Sequence, residues 1–294
     1  MRSIGRSDRA QRLLGGIPRD AAILEVGASY APLAPKSAGW RTTIVDHDTA
    51  AELRGKYAGS HADLSVIEEV DIVWHGGPLH EAFDAGAHGT YDALIISHVL
   101  EHLPDPVSFL ASADVLLAPG GVIVVAVPDK RFCFDIYRWP STAGMMMQAH
   151  LEKRTRHLPG TIFDEVSLSA TQNGNPLWTR EQAGKALSLF HPTGRAREVF
   201  DLAVPADGAY IDCHAWQFTP ASFELIFLDL ELAGVCAWTV SWLEPREGGE
   251  ILARLARPER SGGRDLAALR LQRQELLRGT LMELADGAAA ALRR

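Results

Sequence analysis

The chain has 294 residues, 47 % of them hydrophobic and 22 % charged, with a formal net charge of −8. Those proportions suit one soluble globular domain with an elaboration. The acidic balance argues against a protein whose main partner is nucleic acid, because phosphate binding needs a basic field. Cys133, Cys213 and Cys236 are the three cysteines; an odd count without a CxxC pair fits reduced thiols in a cytoplasmic protein. No apolar run reaches the length of a membrane span, and the polar opening MRSIGRSDRAQR leads to the expectation of no secretory signal.

In chain order, Ala21–Val26, Arg41–Val45, Val70–Trp74, Tyr91–Ser97 and Val122–Val127 read as strands. Several are continuous β-branched runs, the pattern of strands buried on both faces of a parallel sheet. The stretches between them read as helices. Thr49–Tyr57 places Ala50, Leu53 and Tyr57 on one face. Asp105–Ala118 opens with an Asp N-cap and Pro106 in the first turn, then carries an apolar stripe through Val107, Leu110, Ala111 and Leu117. Strands alternating with helices predict a doubly wound α/β sheet.

From Trp139 to Asp212 the spacing predicts helices without strands between them, one headed by a Thr179–Gln182 capping box. Thr219–Ala233 is a helix capped by Thr219, started by Pro220 and stopped by Gly234. Val235–Trp242 and Glu250–Ala256 follow as an antiparallel pair, and Asp265–Arg294 as a charged amphipathic helix. The expected division is 1–138 for a cofactor-binding part, 139–212 for a helical cap, 213–257 for completion of the sheet, and 258–294 for a C-terminal helix. That helix either packs back on the domain or joins two copies as a homodimer, although Gly279 and Gly287 weaken a long coiled coil.

The first chemical motif is Glu25-Val26-Gly27-Ala28-Ser29, an acid ending a buried strand with glycine two positions on. Asp46 ends the next strand 21 residues later, the spacing at which a carboxylate meets ribose hydroxyls in dinucleotide folds. The second is YDALIISHVLEHLPDPVSFLASADVLLAPGGVIVVAVPD, Tyr91–Asp129. In order and spacing this block resembles class I S-adenosylmethionine (SAM)-dependent methyltransferases, where HVLEHL.DP and LL.PGG bracket the fourth strand, the next helix and the fifth strand. The resemblance implies a Rossmann-like methyltransferase sheet, SAM as cofactor and S-adenosylhomocysteine as product. It also implies cofactor contacts at Glu25, Gly27, Ala28 and Ser29, at Asp46 with His47, and at Ser97 and His98 beside the sulfonium. The usual three-glycine turn is reduced to Gly27, and Pro32 and Pro35 shorten the first crossover. A pyrophosphate cradle is therefore missing, which argues against NAD. No acid follows the third strand, so His75 or the backbone at Gly76 is expected to meet the adenine. LEVGASYAPLAPKSAGWRTTIVDHD, VPDKRFCFD and DCHAWQFTPASFELI resemble a bacterial subfamily associated with sugar and polysaccharide biosynthesis.

Methyl transfer to a hydroxyl needs alignment and a base. His214, just before the Thr219 helix, is the first choice of base, with Asp212 as its orienting partner and Asp129 as a third candidate. Lys130 and Arg131 would hold an anionic acceptor, and Trp216 a sugar ring. Trp139, Trp178 and Met145–Met147 read first as packing. No metal is assigned: His98, Glu101 and His102 share a helical spacing, and Asp129, Asp212 and a histidine could hold Mg²⁺, but both readings stand behind a cofactor-facing role. The expected partner is a small-molecule or glycan acceptor, with O-methylation of a sugar hydroxyl first. A natural-product amine, carboxylate or phenol is second, and a methyltransferase-like subunit without turnover is third.

Overall fold

The computed structural model describes residues 2–182, 186–205, 210–258 and 265–292; the other parts of the expected segments, including 293–294 of the last helix, lie outside the described residues. The main sheet has seven strands. They are β1 (Ala22–Val26), β2 (Arg41–Asp46), β3 (Ile72–Val73), β4 (Tyr91–Ser97), β5 (Leu117–Pro128), β8 (Thr239–Pro245) and β9 (Glu250–Ala256), in the spatial order β3-β2-β1-β4-β5-β9-β8. The first five are parallel, and β9 runs antiparallel between β5 and β8. The Rossmann-like sheet with a C-terminal antiparallel pair is thus present. The final pair begins later than its hydropathy suggests, at Thr239 rather than Val235.

The continuous apolar runs bury both faces, as parallel strands must. Leu24, Leu94, Ile96 and Val125 face a core shared with Val107 and Leu110 of α3 (Pro106–Leu116) and Phe223 and Phe227 of α7 (Pro220–Leu232). Ile23, Ile95, Val124 and Leu252 face the other side, against Leu13 and Leu14 of α1 (Arg2–Leu14). Between β1 and β2 only a 3-10 turn, Lys36–Ala38, forms, as Pro32 and Pro35 predict. The apolar face which a crossover helix there would cover is taken by α1, an element the polar N-terminal sequence did not announce. Each fully buried aromatic such as Phe227 contributes roughly 1.5–3 kcal/mol by burial.

Local capping follows the sequence. Asp105 accepts from the Ser108 amide at 2.9 Å, and α2 (Ala50–Tyr57) starts on a Thr49–Glu52 capping box. Thr219 and Ser222 form a reciprocal box at the head of α7. The segment after β5 holds α4 (Ala143–Leu151), α5 (Pro159–Leu168) and α6 (Arg195–Ala203), together with a two-stranded antiparallel sheet, β6 (Ala170–Gln172) and β7 (Leu187–Leu189). The expectation of helices alone is therefore corrected. Thr179 and Gln182 do exchange hydrogen bonds, but they head only a 3-10 turn. α8 (Leu266–Ala291) packs on α7: a Cβ on Gly279 would lie 3.1 Å from Ala221 Cβ, and Arg273 pairs with Asp229 at 2.6 Å.

Candidate active site

Strand order reverses between β1 and β4, and ligands of open α/β sheets bind beyond the strand C-termini at such a point. Gly27 makes the turn there with φ +71°, and a Cβ on it would meet Val99 Cγ2 at 2.6 Å. Only glycine meets both demands. Asp46, buried at the end of β2, accepts from the amides of Ser29 (2.9 Å) and His47 (2.8 Å), so it ties the turn after β1 to β2. The His47 ring lies on the same carboxylate, whose hydrogen bond raises the imidazole pKa. Glu25 points inward, and its two oxygens accept from Leu33 (2.7 Å) and Ala34 (3.0 Å). Burial pushes its pKa up to about 7 despite those bonds. In this arrangement Glu25 shapes the loop rather than lining the crevice.

Ala28 is buried, whereas His75 and Gly76 are exposed after β3, Gly76 at φ +108°. Ser29 Oγ and Trp74 Nε1 are buried without a hydrogen-bond partner. Orphaned groups of this kind, one after β1 and one after β3, fit the polar edge of a nucleoside.

Beyond β4, Ser97 accepts from Arg9 Nη2 at 2.7 Å, and Arg9 also forks onto Glu250 at the start of β9. His98, at φ +56°, turns its Nε2 to Glu250 (2.7 Å) and its Nδ1 to Glu101 (3.2 Å). Burial opposes its charge, but the two carboxylates outweigh that and raise its pKa to about 9. Burial likewise opposes charge on Glu250, yet His98 and Arg9 bring its pKa down to about 2.

A second group of histidines and carboxylates lies beside this one. His214 is buried, and its Nδ1 lies 2.6 Å from Asp135 Oδ2. Asp135 is held in turn by Arg138 at 3.0 Å, and the His214 amide donates to Glu165 at 3.0 Å. The expected partnership is therefore corrected: Asp135 orients His214, while the exposed Asp212 accepts from His102 Nδ1 at 3.0 Å. The His102 and His214 rings meet edge to face with centroids 4.7 Å apart. Residues 100–102 form a 3-10 turn, so His98 and His102 diverge instead of sharing a helical face. Fully buried Glu101 joins His102 and His214.

Asp129 and Arg131 are buried and bonded to each other, Nε to Oδ1 at 2.8 Å. α8 closes over Arg131, since a Cβ on Gly287 would meet its Cγ at 3.1 Å. Lys130 is buried too, its Nζ donating to the Ile136 carbonyl at 2.9 Å, and burial lowers its pKa. The expected base and anion-binding roles of these three are at odds with this placement, because each polar group is spent on an internal partner. Trp216 is buried with Nε1 on the Leu103 carbonyl at 2.6 Å, although its ring edges a hollow of about 400 Å³ shared with Thr142, Met145, Gln148, Arg156 and His157. Trp178 is buried, and Trp139 is 80 % exposed.

Arg9, Asp135, Glu165 and Glu250 were not singled out from the sequence. Asp135 carried the best signal, a lone acid in the apolar stretch FCFDIY. Arg9 and Glu250 had none, because their neighbours lie 88 and 152 positions away.

The model of the family described as "Methyltransferase domain" matches residues 6–173, more than half of the chain. The chain belongs to this methyltransferase-domain family. It is similar to a ubiquinone biosynthesis O-methyltransferase of Caulobacter sp. (strain K31), 32 % identical over 110 residues, which is 37 % of this chain and 41 % of that protein. A ubiquinone biosynthesis O-methyltransferase of Burkholderia multivorans is 32 % identical over 108 residues, 37 % of this chain and 44 % of that protein. The chain thus matches less than half the length of these curated relatives. Among solved structures, the 1,6-didemethyltoxoflavin-N1-methyltransferase of Burkholderia thailandensis with bound 1,6-didemethyltoxoflavin and S-adenosylhomocysteine overlaps 86 % of this chain and 77 % of its own. Its identity is 14 % and its TM-score 0.39.

Proposed function

We propose that the chain is a SAM-dependent O-methyltransferase acting on a hydroxyl of a small molecule. The observation that carries this reading is the pairing of a nucleoside-type crevice at Gly27, Asp46 and Ser97 with an oriented imidazole at His214. Bound SAM would supply an activated methyl group on a sulfonium. Asp46 and the turn at Gly27–Ser29 would hold the ribose, and Ser29 Oγ and Trp74 Nε1 would find partners on the nucleoside. Ser97 and His98 would border the sulfonium. His214 Nε2 takes the acceptor's hydroxyl proton while Asp135 on Nδ1 stabilises the imidazolium, assistance worth about 10²–10⁴-fold. Oxygen as the accepting atom is supported by the names of both relatives. Within hydroxyl acceptors we propose a sugar or glycoconjugate bound near Trp216. A phenol is the second reading: the relatives' names give an O-methyltransferase of ubiquinone biosynthesis and no sugar.

Calorimetry with SAM and S-adenosylhomocysteine tests the first half: both bind the wild type, and Asp46→Ala abolishes binding. If neither ligand binds the wild type, the reading fails. Transfer from methyl-labelled SAM to a panel of nucleotide sugars, oligosaccharides and phenols then identifies the acceptor class, and product on phenols alone would remove the sugar.

A further inference from the structure

Glu101, His102 and His214 each offer one ligand atom, and these atoms all lie within 4.8 Å of one another. Two further observations point to a missing partner. Glu101 is fully buried, yet its Oε2 has no hydrogen-bond partner. The other carboxylate oxygen, Oε1, already lies 3.2 Å from His98 Nδ1, so Oε2 alone is left to face the two remaining imidazoles. Buried carboxylates are paired or bind metals.

The two imidazoles are also oriented in a particular way. His102 gives its Nδ1 to Asp212 and His214 its Nδ1 to Asp135, leaving Nε2 on each ring for a ligand. A carboxylate on the far nitrogen is how proteins fix the tautomer of a metal-bound histidine.

We propose that Glu101, His102 and His214 bind one divalent transition-metal ion, leaving a coordination position open to the acceptor hydroxyl. Two imidazoles and one carboxylate suit Zn²⁺ or a neighbouring first-row ion better than Mg²⁺, which prefers oxygen ligands throughout. The inference rests on the methyltransferase reading and revises one step of it: with an ion bound, His214 is a ligand, and the ion replaces the imidazole in the loss of the hydroxyl proton. The hydroxyl coordinated at the open position loses its proton to solvent. Its oxygen forms the C–O bond as the C–S bond of the donor breaks, and sulfur keeps the bonding pair. A bound ion lowers the pKa of an oxygen ligand by several units, so no neighbouring side chain need take that proton.

The full chain, stripped with a chelator, is titrated calorimetrically with ZnCl₂, and Co²⁺ is added separately for its visible spectrum. One Zn²⁺ per chain is expected, with a four- or five-coordinate Co²⁺ spectrum. Stoichiometric binding should disappear in Glu101→Gln and His102→Ala. Asp212→Asn, which alters only the partner of His102, should weaken it about 10–100-fold. His61→Ala, an exposed histidine elsewhere, should leave it intact. Absence of stoichiometric binding by the wild type overturns the proposal, and so does undiminished binding in His102→Ala. If Glu101→Gln fails to fold by circular dichroism, His102→Ala and Asp212→Asn decide the matter, their side chains being 30 % and 61 % exposed. SAM affinity of the stripped protein separates the two claims: retained SAM binding without Zn²⁺ binding removes the ion and leaves the methyltransferase reading standing, with His214 as base. Lost SAM binding with Zn²⁺ retained does the reverse.

Discussion

The two halves of the candidate site are built by different means. At the ends of β1 and β2, carboxylates are held by backbone amides: Asp46 by Ser29 and His47, Glu25 by Leu33 and Ala34. On the acceptor side, side chains hold side chains across long stretches of sequence. His214 meets Asp135 79 positions away, and His102 meets Asp212 at 110. A backbone-built site is as rigid as its sheet. A site of interlocked side chains depends on several distant segments arriving together, and its groups are coupled, so replacing one disturbs the others.

The sharpest test of this contrast is on the acceptor side. His214→Ala should lower turnover by about 10²–10⁴-fold in a single-turnover assay while SAM affinity stays within about twofold. Full activity in that variant would dissolve the division into halves. Asp135→Asn should lose less turnover, because the imidazole keeps a hydrogen-bond partner on Nδ1.

On the backbone side, Gly27→Ala forces a side chain into left-handed backbone and onto Val99. We expect a loss of about 2–4 kcal/mol in urea unfolding together with loss of SAM binding; an unchanged midpoint would mean that the turn is plastic. The smallest effect concerns Glu25. Its folded pKa of about 7 lies above its ordinary 4.5, so the folded state binds the extra proton between those values. Stability from this group is complete below about pH 4.5 and is lost as pH rises through 7. Glu25→Gln should flatten that decline in the urea midpoint between pH 5 and 8, even if the variant is weaker throughout.

The same division governs what the sequence disclosed. Asp105 with Pro106 and Thr219 with Pro220 act on neighbours within a few residues, and so does the turn at Gly27, so these roles could be read in the linear order; the approach of Val99 to Gly27 from 72 positions away could not. β4, α3 and β5 were legible for the same reason, as a compact block with its own caps. The partner of His214 was not. Asp212 was nearer in sequence, but the short turns at Lys130–Phe132 and Phe134–Tyr137 carry Asp135 to the ring instead. α1 escaped notice because its two core leucines sit at the end of a charged stretch, and its place exists only because the first crossover lacks a helix. The β6–β7 hairpin escaped because three-residue strands offer too short a run for periodicity to register.

The antiparallel insertion of β9 carries a consequence for the order of assembly. Pro128 at the end of β5 pairs with Glu250 at the start of β9, and Glu250 then meets His98 and Arg9. Residues from opposite ends of the chain thus complete one corner of the crevice. During synthesis the first five strands can pair while β5 still presents an open, apolar edge. That edge is sealed only when a segment about 120 residues downstream threads between β5 and β8. Such a late, long-range step is slow by topology, and until it occurs the nascent sheet exposes a template for pairing with other chains. Recovery of active protein should therefore fall as chain concentration during refolding rises.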